Sequence, residues 1–242
     1  PEQRKKAQEA YEKTEKGKLA RAKANARNGT KRFIEEFATR EELEALLKRI
    51  EEKLDFVVNI GFDLESSEKS VEYANKYPFI YAVIGFHPDE IEGYSDEAEK
   101  KLEELAKNPK VLAIGEIGLD YHWMTRPKEE QWDIFRKQLE LARRVNKPVV
   151  IHTRDAMADT IEILKEEKAS EVGGIMHSFS GSVESMNIML KENFHISLGG
   201  PVTFKNAKTP KEVAKACPLD RLLIETDCPY LTPTPYLSLI HI

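Results

Sequence analysis

Val111-Leu112-Ala113-Ile114-Gly115-Glu116-Ile117-Gly118-Leu119-Asp120 opens as an unbroken apolar run and ends among carboxylates. A strand with one solvated face alternates apolar and polar residues, whereas one buried on both faces does not, and such strands belong to parallel sheets covered by helices. The run 111–115 is one of seven of this kind; the others cover residues 56–60, 80–85, 148–151, 173–176, 195–198 and 222–224. Their starts lie 22 to 37 residues apart, one βα unit each. Helical segments fit between them, with start signals at Ser66-Ser67, Ser95, Pro127 and Thr209-Pro210. Ahead of the first run, Thr39 reads as a cap for a helix whose Leu43, Leu46, Leu47, Ile50 and Leu54 share one face. This order predicts an α/β chain folded as a TIM-type (β/α) barrel, with seven of eight strands recognisable. An open doubly wound sheet is the alternative, but no glycine-rich dinucleotide turn follows any of the runs.

Composition narrows the class. The 242 residues are 40% hydrophobic and 33% charged, with no apolar stretch of membrane-spanning length. The two cysteines, Cys217 and Cys228, and a charged start at residues 1–6 support neither a disulfide scaffold nor secretion, so a cytoplasmic protein is expected. The net charge of −5 is unevenly spread: residues 1–32 carry eleven Lys/Arg and four Glu, which leaves an excess of twelve negative charges beyond them. Segment 1–38 is therefore set apart as a basic stretch, helical or disordered, from the barrel of residues 39–236.

In a barrel of this kind, function gathers at the carboxyl ends of the strands. His87, Glu116, Asp120, His152, Arg154, His177 and Asp227 all fall there. Any one of them is explained by a cap or a structural hydrogen bond. Glu, His, His and Asp from four separate strands, meeting at one rim, point instead to divalent-metal binding, with Glu116 able to bridge two ions and Asp227 able to take a proton.

Gly85-Phe86-His87-Pro88, residues 115–121 (Gly-Glu-Ile-Gly-Leu-Asp-Tyr), residues 148–154 (Pro-Val-Val-Ile-His-Thr-Arg), residues 176–181 (Met-His-Ser-Phe-Ser-Gly) and residues 225–231 (Glu-Thr-Asp-Cys-Pro-Tyr-Leu) together resemble the TatD family of metal-dependent deoxyribonucleases. The resemblance covers about residues 43–236 and implies an amidohydrolase-like barrel that cleaves phosphodiester bonds of DNA. It implies that Glu116 is shared by two metal ions, that His152 and His177 bind one, and that Asp227 binds the other and accepts the proton. It places His87 along the site and makes Arg154 and Lys205 phosphate contacts. Magnesium, manganese, zinc and nickel are not distinguished. DNA is the expected partner, with no membrane and no obligate protein partner.

The chain departs from the family pattern at both ends. The first-strand signature Asp-x-His-x-His is absent, since no two of the six histidines are separated by one residue. One of the family's two ions is therefore expected to be well held. Residues 237–242 read as a translation of CTG TCT CTT ATA CAC ATC, which resembles a transposon end used in library preparation, so an artefactual tail is expected. His122, Trp123, His195 and Cys228 receive no role. A metal-dependent hydrolase of another ester or amide, and an inactive fragment or fusion, stand as the other readings.

Overall fold

The computed structural model describes residues 40–227, 231, 233 and 234. The expectations for the basic segment 1–38 and the tail 237–242 lie outside the described residues. In chain order the elements are α1 (Arg40–Lys53), β1 (Val57–Ile60), α2 (Leu64–Lys76), β2 (Ile80–Ile84), α3 (Asp96–Leu105), β3 (Val111–Asp120), α4 (Lys128–Arg144), β4 (Val149–Arg154), α5 (Met157–Glu166), β5 (Gly174–Met176), α6 (Val183–Lys191), β6 (Phe194–Leu198), α7 (Lys208–Ala216) and β7 (Leu222–Ile224). The strands form one seven-stranded sheet in sequence order, and every neighbouring pair is parallel. Sequential parallel strands, each followed by a helix, are the architecture of a TIM-type barrel wall. Among the described residues no helix is long and apolar enough to cross a membrane.

Alternation divides the strand side chains between two apolar layers. Ala82, Ile84, Ile114, Ile151, Met176 and Ile196 pack outward into the large core beneath the helices, which supply Leu102, Phe135, Leu139 and Leu164. Val83, Ala113 and Val150 form a smaller inner layer, joined by Val58, Ile60 and Ile175. Each fully buried Phe or Leu contributes roughly 1.5–3 kcal/mol of transfer free energy, so the outer layer dominates stability.

Two local details differ from the expectation. α2 begins earlier than Ser66-Ser67, because Asp63 caps it: the Asp63 carboxylate accepts the Ser66 N–H at 2.7 Å and the Ser66 hydroxyl accepts the Asp63 N–H at 3.0 Å. β3 continues beyond Gly115 to Asp120, through an irregularity where Ile114 pairs with Val149 but Ile117 with Ile151. Three residues of β3 there face two of β4, a bulge of one residue. Glycines make room for it. A Cβ at Gly118, whose φ is +142°, would lie 2.0 Å from the His152 carbonyl oxygen.

α4 also anchors the rim. Gln138, buried in its core-facing stripe, accepts the Phe86 N–H at 2.8 Å and donates to the Phe86 carbonyl at 3.0 Å. Two turns earlier, Gln131 does the same for Asp120.

Candidate metal centre

The inner layer predicts which residues converge above it. Counting by twos from Val83 reaches Gly85 and His87; from Val150, His152 and Arg154; from Ile175, His177; Glu225 and Asp227 follow the end of β7 at Ile224. In β3 the same count from Ala113 would miss Glu116, and the one-residue bulge restores it to the inner face.

The side chains meet as that count requires. Glu116 Oε1 lies 2.9 Å from His152 Nδ1 and 3.6 Å from His177 Nε2, and His177 Nε2 lies 3.5 Å from Asp227 Oδ1. His87 stands with its ring 4.3 Å from that of His152. The ligating atoms of His87, Glu116 and His152 all lie within 4.8 Å of one another. The structure thus brings together Glu116, His152, His177 and Asp227, with His87 alongside. Arg154 sits at the rim over Trp123. Lys205 stands apart: it is exposed, with no hydrogen bond or ion pair to a described residue.

Two carboxylates complete the arrangement, and neither was given a role from sequence. Asp120 Oδ2 faces His152 Nε2 at 3.1 Å. Glu225 accepts from His177 Nδ1 at 2.6 Å, from the Ser197 hydroxyl at 2.7 Å and from the Ser178 N–H at 2.7 Å. It thereby ties β7 to β6 and to the end of β5. The signal for Glu225 was its place two residues before Asp227, just past the end of β7.

The protonation pattern follows from this crowding. Burial opposes charge on His152, but hydrogen bonds to Asp120 and Glu116 push its pKa up to about 9. Burial likewise opposes charge on His177, and pairing with Asp227 and Glu225 pushes it up to about 11. Burial would raise Glu116, yet the hydrogen bond to His152 and the charges of His177 and His152 hold it well below the carboxylate range. Asp120 is held down to about 2, since its hydrogen bonds to His152 and the Trp123 N–H outweigh burial. His87 is the exception, driven down to about 4 by burial and by the charge of His152. Its Nδ1 accepts the Asp89 N–H at 3.1 Å, so in the neutral ring Nε2 carries the hydrogen.

These donors fit a divalent cation. Four carboxylates, from Glu116, Asp120, Glu225 and Asp227, surround two imidazoles whose extra protons supply the positive charge. An ion displacing those protons would meet nitrogen and oxygen ligands suited to zinc, manganese or nickel. The contact of His177 Nδ1 with Glu225 leaves Nε2 as the ligating atom, the arrangement in which a carboxylate orients a metal-binding histidine. His87 is less suited, because ligation through Nε2 would cost it the hydrogen bond from Asp89.

A cavity of about 330 Å³ opens nearby, lined by Thr153, Asp155, Ala156, Met157, Ser180 and Gly181. Thr153 alternates with His152 and bonds Thr160 of α5 at 3.0 Å, so this cavity lies on the other face of β4 from the cluster.

Comparison with known proteins agrees with this geometry. Residues 31–239 match the family model for TatD related DNase. The uncharacterized metal-dependent hydrolase YabD of Bacillus subtilis (strain 168) is 52% identical over 196 residues, 81% of this chain and 77% of that protein. The human 3'-5' RNA nuclease TATDN2 is 35% identical over 161 residues, 65% of this chain and 21% of that protein. The crystal structure of YJJV, a TatD homologue from Escherichia coli K12, superposes with a TM-score of 0.73 at 29% identity, covering 81% of this chain and 76% of that one. The barrel, the clustered imidazoles and carboxylates and these matches agree: the chain is a metal-dependent hydrolase belonging to the TatD-related DNase family.

Proposed function

We propose that the chain hydrolyses phosphodiester bonds of DNA with a divalent ion held by Glu116, His152, His177 and Asp227. The observation that carries this reading is the unbroken series of contacts from His152 through Glu116 and His177 to Asp227, none longer than 3.6 Å. When bound, a divalent ion supplies Lewis-acid charge to phosphoryl oxygens and lowers the pKa of water.

The remaining work falls to the chain itself. Glu225 and Asp120 hold His177 and His152 in orientation, so the ligating atoms are placed before substrate arrives. Asp227 Oδ1 accepts the proton of the attacking water, and Glu116 keeps its charge throughout. His87, neutral with its hydrogen on Nε2, donates to a non-bridging oxygen. Arg154 contacts the phosphate from the rim, and Lys205 contacts a flanking phosphate. One ion is held firmly and a second weakly. With two cysteines in 242 residues the chain suits a reducing compartment, and we assign the activity to the cytoplasm.

The name of the human relative favours a second reading, in which RNA is cut. The same assay tests both. Single-stranded DNA, RNA and a panel of carboxylic ester and amide substrates are incubated with the chain and manganese, with Glu116→Ala as control. Cleavage of DNA that Glu116→Ala abolishes is expected. Turnover of the carboxylic esters or amides alone would sink the phosphodiesterase reading.

A further inference from the structure

The loop after β3 carries a feature that the metal centre does not use. While Asp120 Oδ2 faces His152, its Oδ1 accepts the backbone N–H groups of His122 at 2.8 Å and of Trp123 at 3.0 Å. One carboxylate therefore positions both an imidazole of the centre and a partly buried indole beside it. The Trp123 ring lies edge-on to His122, with centroids 4.7 Å apart at 90°, and the Arg154 guanidinium carbon sits 5.5 Å from the centroid of the same indole. Arg154 follows His152 by two residues on β4, which sets it on the same face about 6–7 Å further along the strand. Unlike Arg126, Arg136, Arg143 and Arg144, it makes no ion pair with a described residue, although acidic groups are close by.

The loop that carries the indole is tied down at several points. His122 Nδ1 lies 3.1 Å from Asp155 Oδ2, across to the loop after β4. The Tyr121 hydroxyl donates to Asp159 of α5 and accepts from Trp132 Nε1 of α4, both at 2.6 Å. A platform held in this way loses little entropy when a ligand settles on it.

Resting on the phosphodiesterase reading, the geometry points to a nucleobase subsite: the Trp123–Arg154 pair stacks the base of the nucleotide whose phosphate lies at the metal centre. Indole faces and guanidinium planes both stack bases, and they do so with little regard to sequence because every base presents a π face. The charge of Arg154, held in no ion pair with a described residue, serves the adjoining phosphate at the same time. The subsite gives this centre a preference for nucleic-acid strands over simple phosphodiesters.

The test compares two labelled single strands of equal length and equal phosphate count, one of thymidines and one wholly abasic. Binding is measured by anisotropy in chelating buffer, where neither is cut, and tryptophan emission is followed in parallel. The full chain is expected to bind the thymidine strand about 5- to 150-fold more tightly, the factor that stacking of one base supplies. Its emission is expected to be quenched by that strand alone. Trp123→Ala, shown to be folded by thermal unfolding, should bind the two strands alike, and Trp123→Phe should retain a smaller preference. Equal binding of both strands by the unaltered chain, or an undiminished preference in Trp123→Ala, overturns the subsite and leaves the nuclease reading standing. Failure to bind either strand, with no cleavage of DNA or RNA once manganese is added, overturns the nuclease reading and the subsite with it.

Discussion

Gln131 holds both peptide groups of Asp120: its Oε1 accepts the Asp120 N–H at 2.9 Å, and its Nε2 donates to the Asp120 carbonyl at 3.0 Å. The amide is buried, and its Nε2 also reaches the Arg126 carbonyl at 3.0 Å. The end of β3 therefore depends on a helix side chain for hydrogen bonds that no neighbouring strand provides. Replacing Gln131 by Met keeps the volume but strands a buried donor and acceptor. We expect a loss of about 1–3 kcal/mol in denaturant unfolding, together with lower hydrolytic activity as Asp120 loosens its hold on His152. A change below about 0.5 kcal/mol, the ordinary range for a surface site, would show that water replaces the amide without cost.

The pH dependence of the metal-free protein follows from the two raised histidines. Their folded pKa values, about 9 for His152 and about 11 for His177, exceed the ordinary 6.5, so their contribution is complete below pH 6.5 and is lost as pH climbs through 9 to 11. On the acid side the signs reverse. His87 is depressed to about 4, so stability falls as pH drops from 6.5 through 4. Asp120, depressed from 3.8 to about 2, adds a further loss below that. Urea titrations in chelator should show a maximum near pH 6.5 and a decline on both sides. A flat profile between pH 6.5 and 10 would contradict the contacts of His152 and His177.

Glu225 offers the sharpest probe of metal affinity. It receives three hydrogen bonds, and its link to His177 leaves Nε2 of that ring aimed at Glu116 and Asp227. Glu225→Ala should weaken binding of the firm equivalent about 10- to 100-fold, as removal of a carboxylate behind a histidine ligand generally does. Competition against a chelator measures it, and the affinity of the unaltered chain should rise between pH 6.5 and 9 as His152 gives up its proton. Unchanged affinity in Glu225→Ala would remove His177 from the ligand set.

Gly118 tests the backbone beneath the centre. With φ at +142° and the His152 carbonyl oxygen 2.0 Å from where a Cβ would stand, even alanine has no strain-free place. Gly118→Ala should cost about 3 kcal/mol or more, from backbone strain and overpacking together. Thermal unfolding decides this, and a melting temperature within a degree of the unaltered chain would show that β3 and β4 separate easily.

Much of this was readable in the amino acids. The unbroken apolar runs announced buried parallel strands, and the places of His87, His152 and His177 at or just past the ends of three of them put these histidines at one rim. Glu116 was found by its place just past the run 111–115, but the bulge that turns it inward leaves no mark in hydrophobic pattern. Gln131 and Gln138 were invisible for a different reason. A glutamine on a helix looks solvated until the partner backbone is known, and Phe86 lies 52 residues from Gln138. Asp120 and Glu225 were in view but without tasks, since what they do is set by which histidine nitrogen faces them.

The bulge in β3 has an evolutionary consequence. Below it Ala113 faces the inner layer and Ile114 the helices, while above it the assignment is kept by a single surplus residue between Ile114 and Ile117. Drawn straight with every residue kept, the strand would turn Glu116 and Asp120 from the mouth of the barrel toward the helices and bring Ile117 and Leu119 to the mouth in their place. The lineage can therefore shift the position of the surplus residue only by giving up Glu116, since a strand that absorbed it further along would leave that carboxylate against the helices.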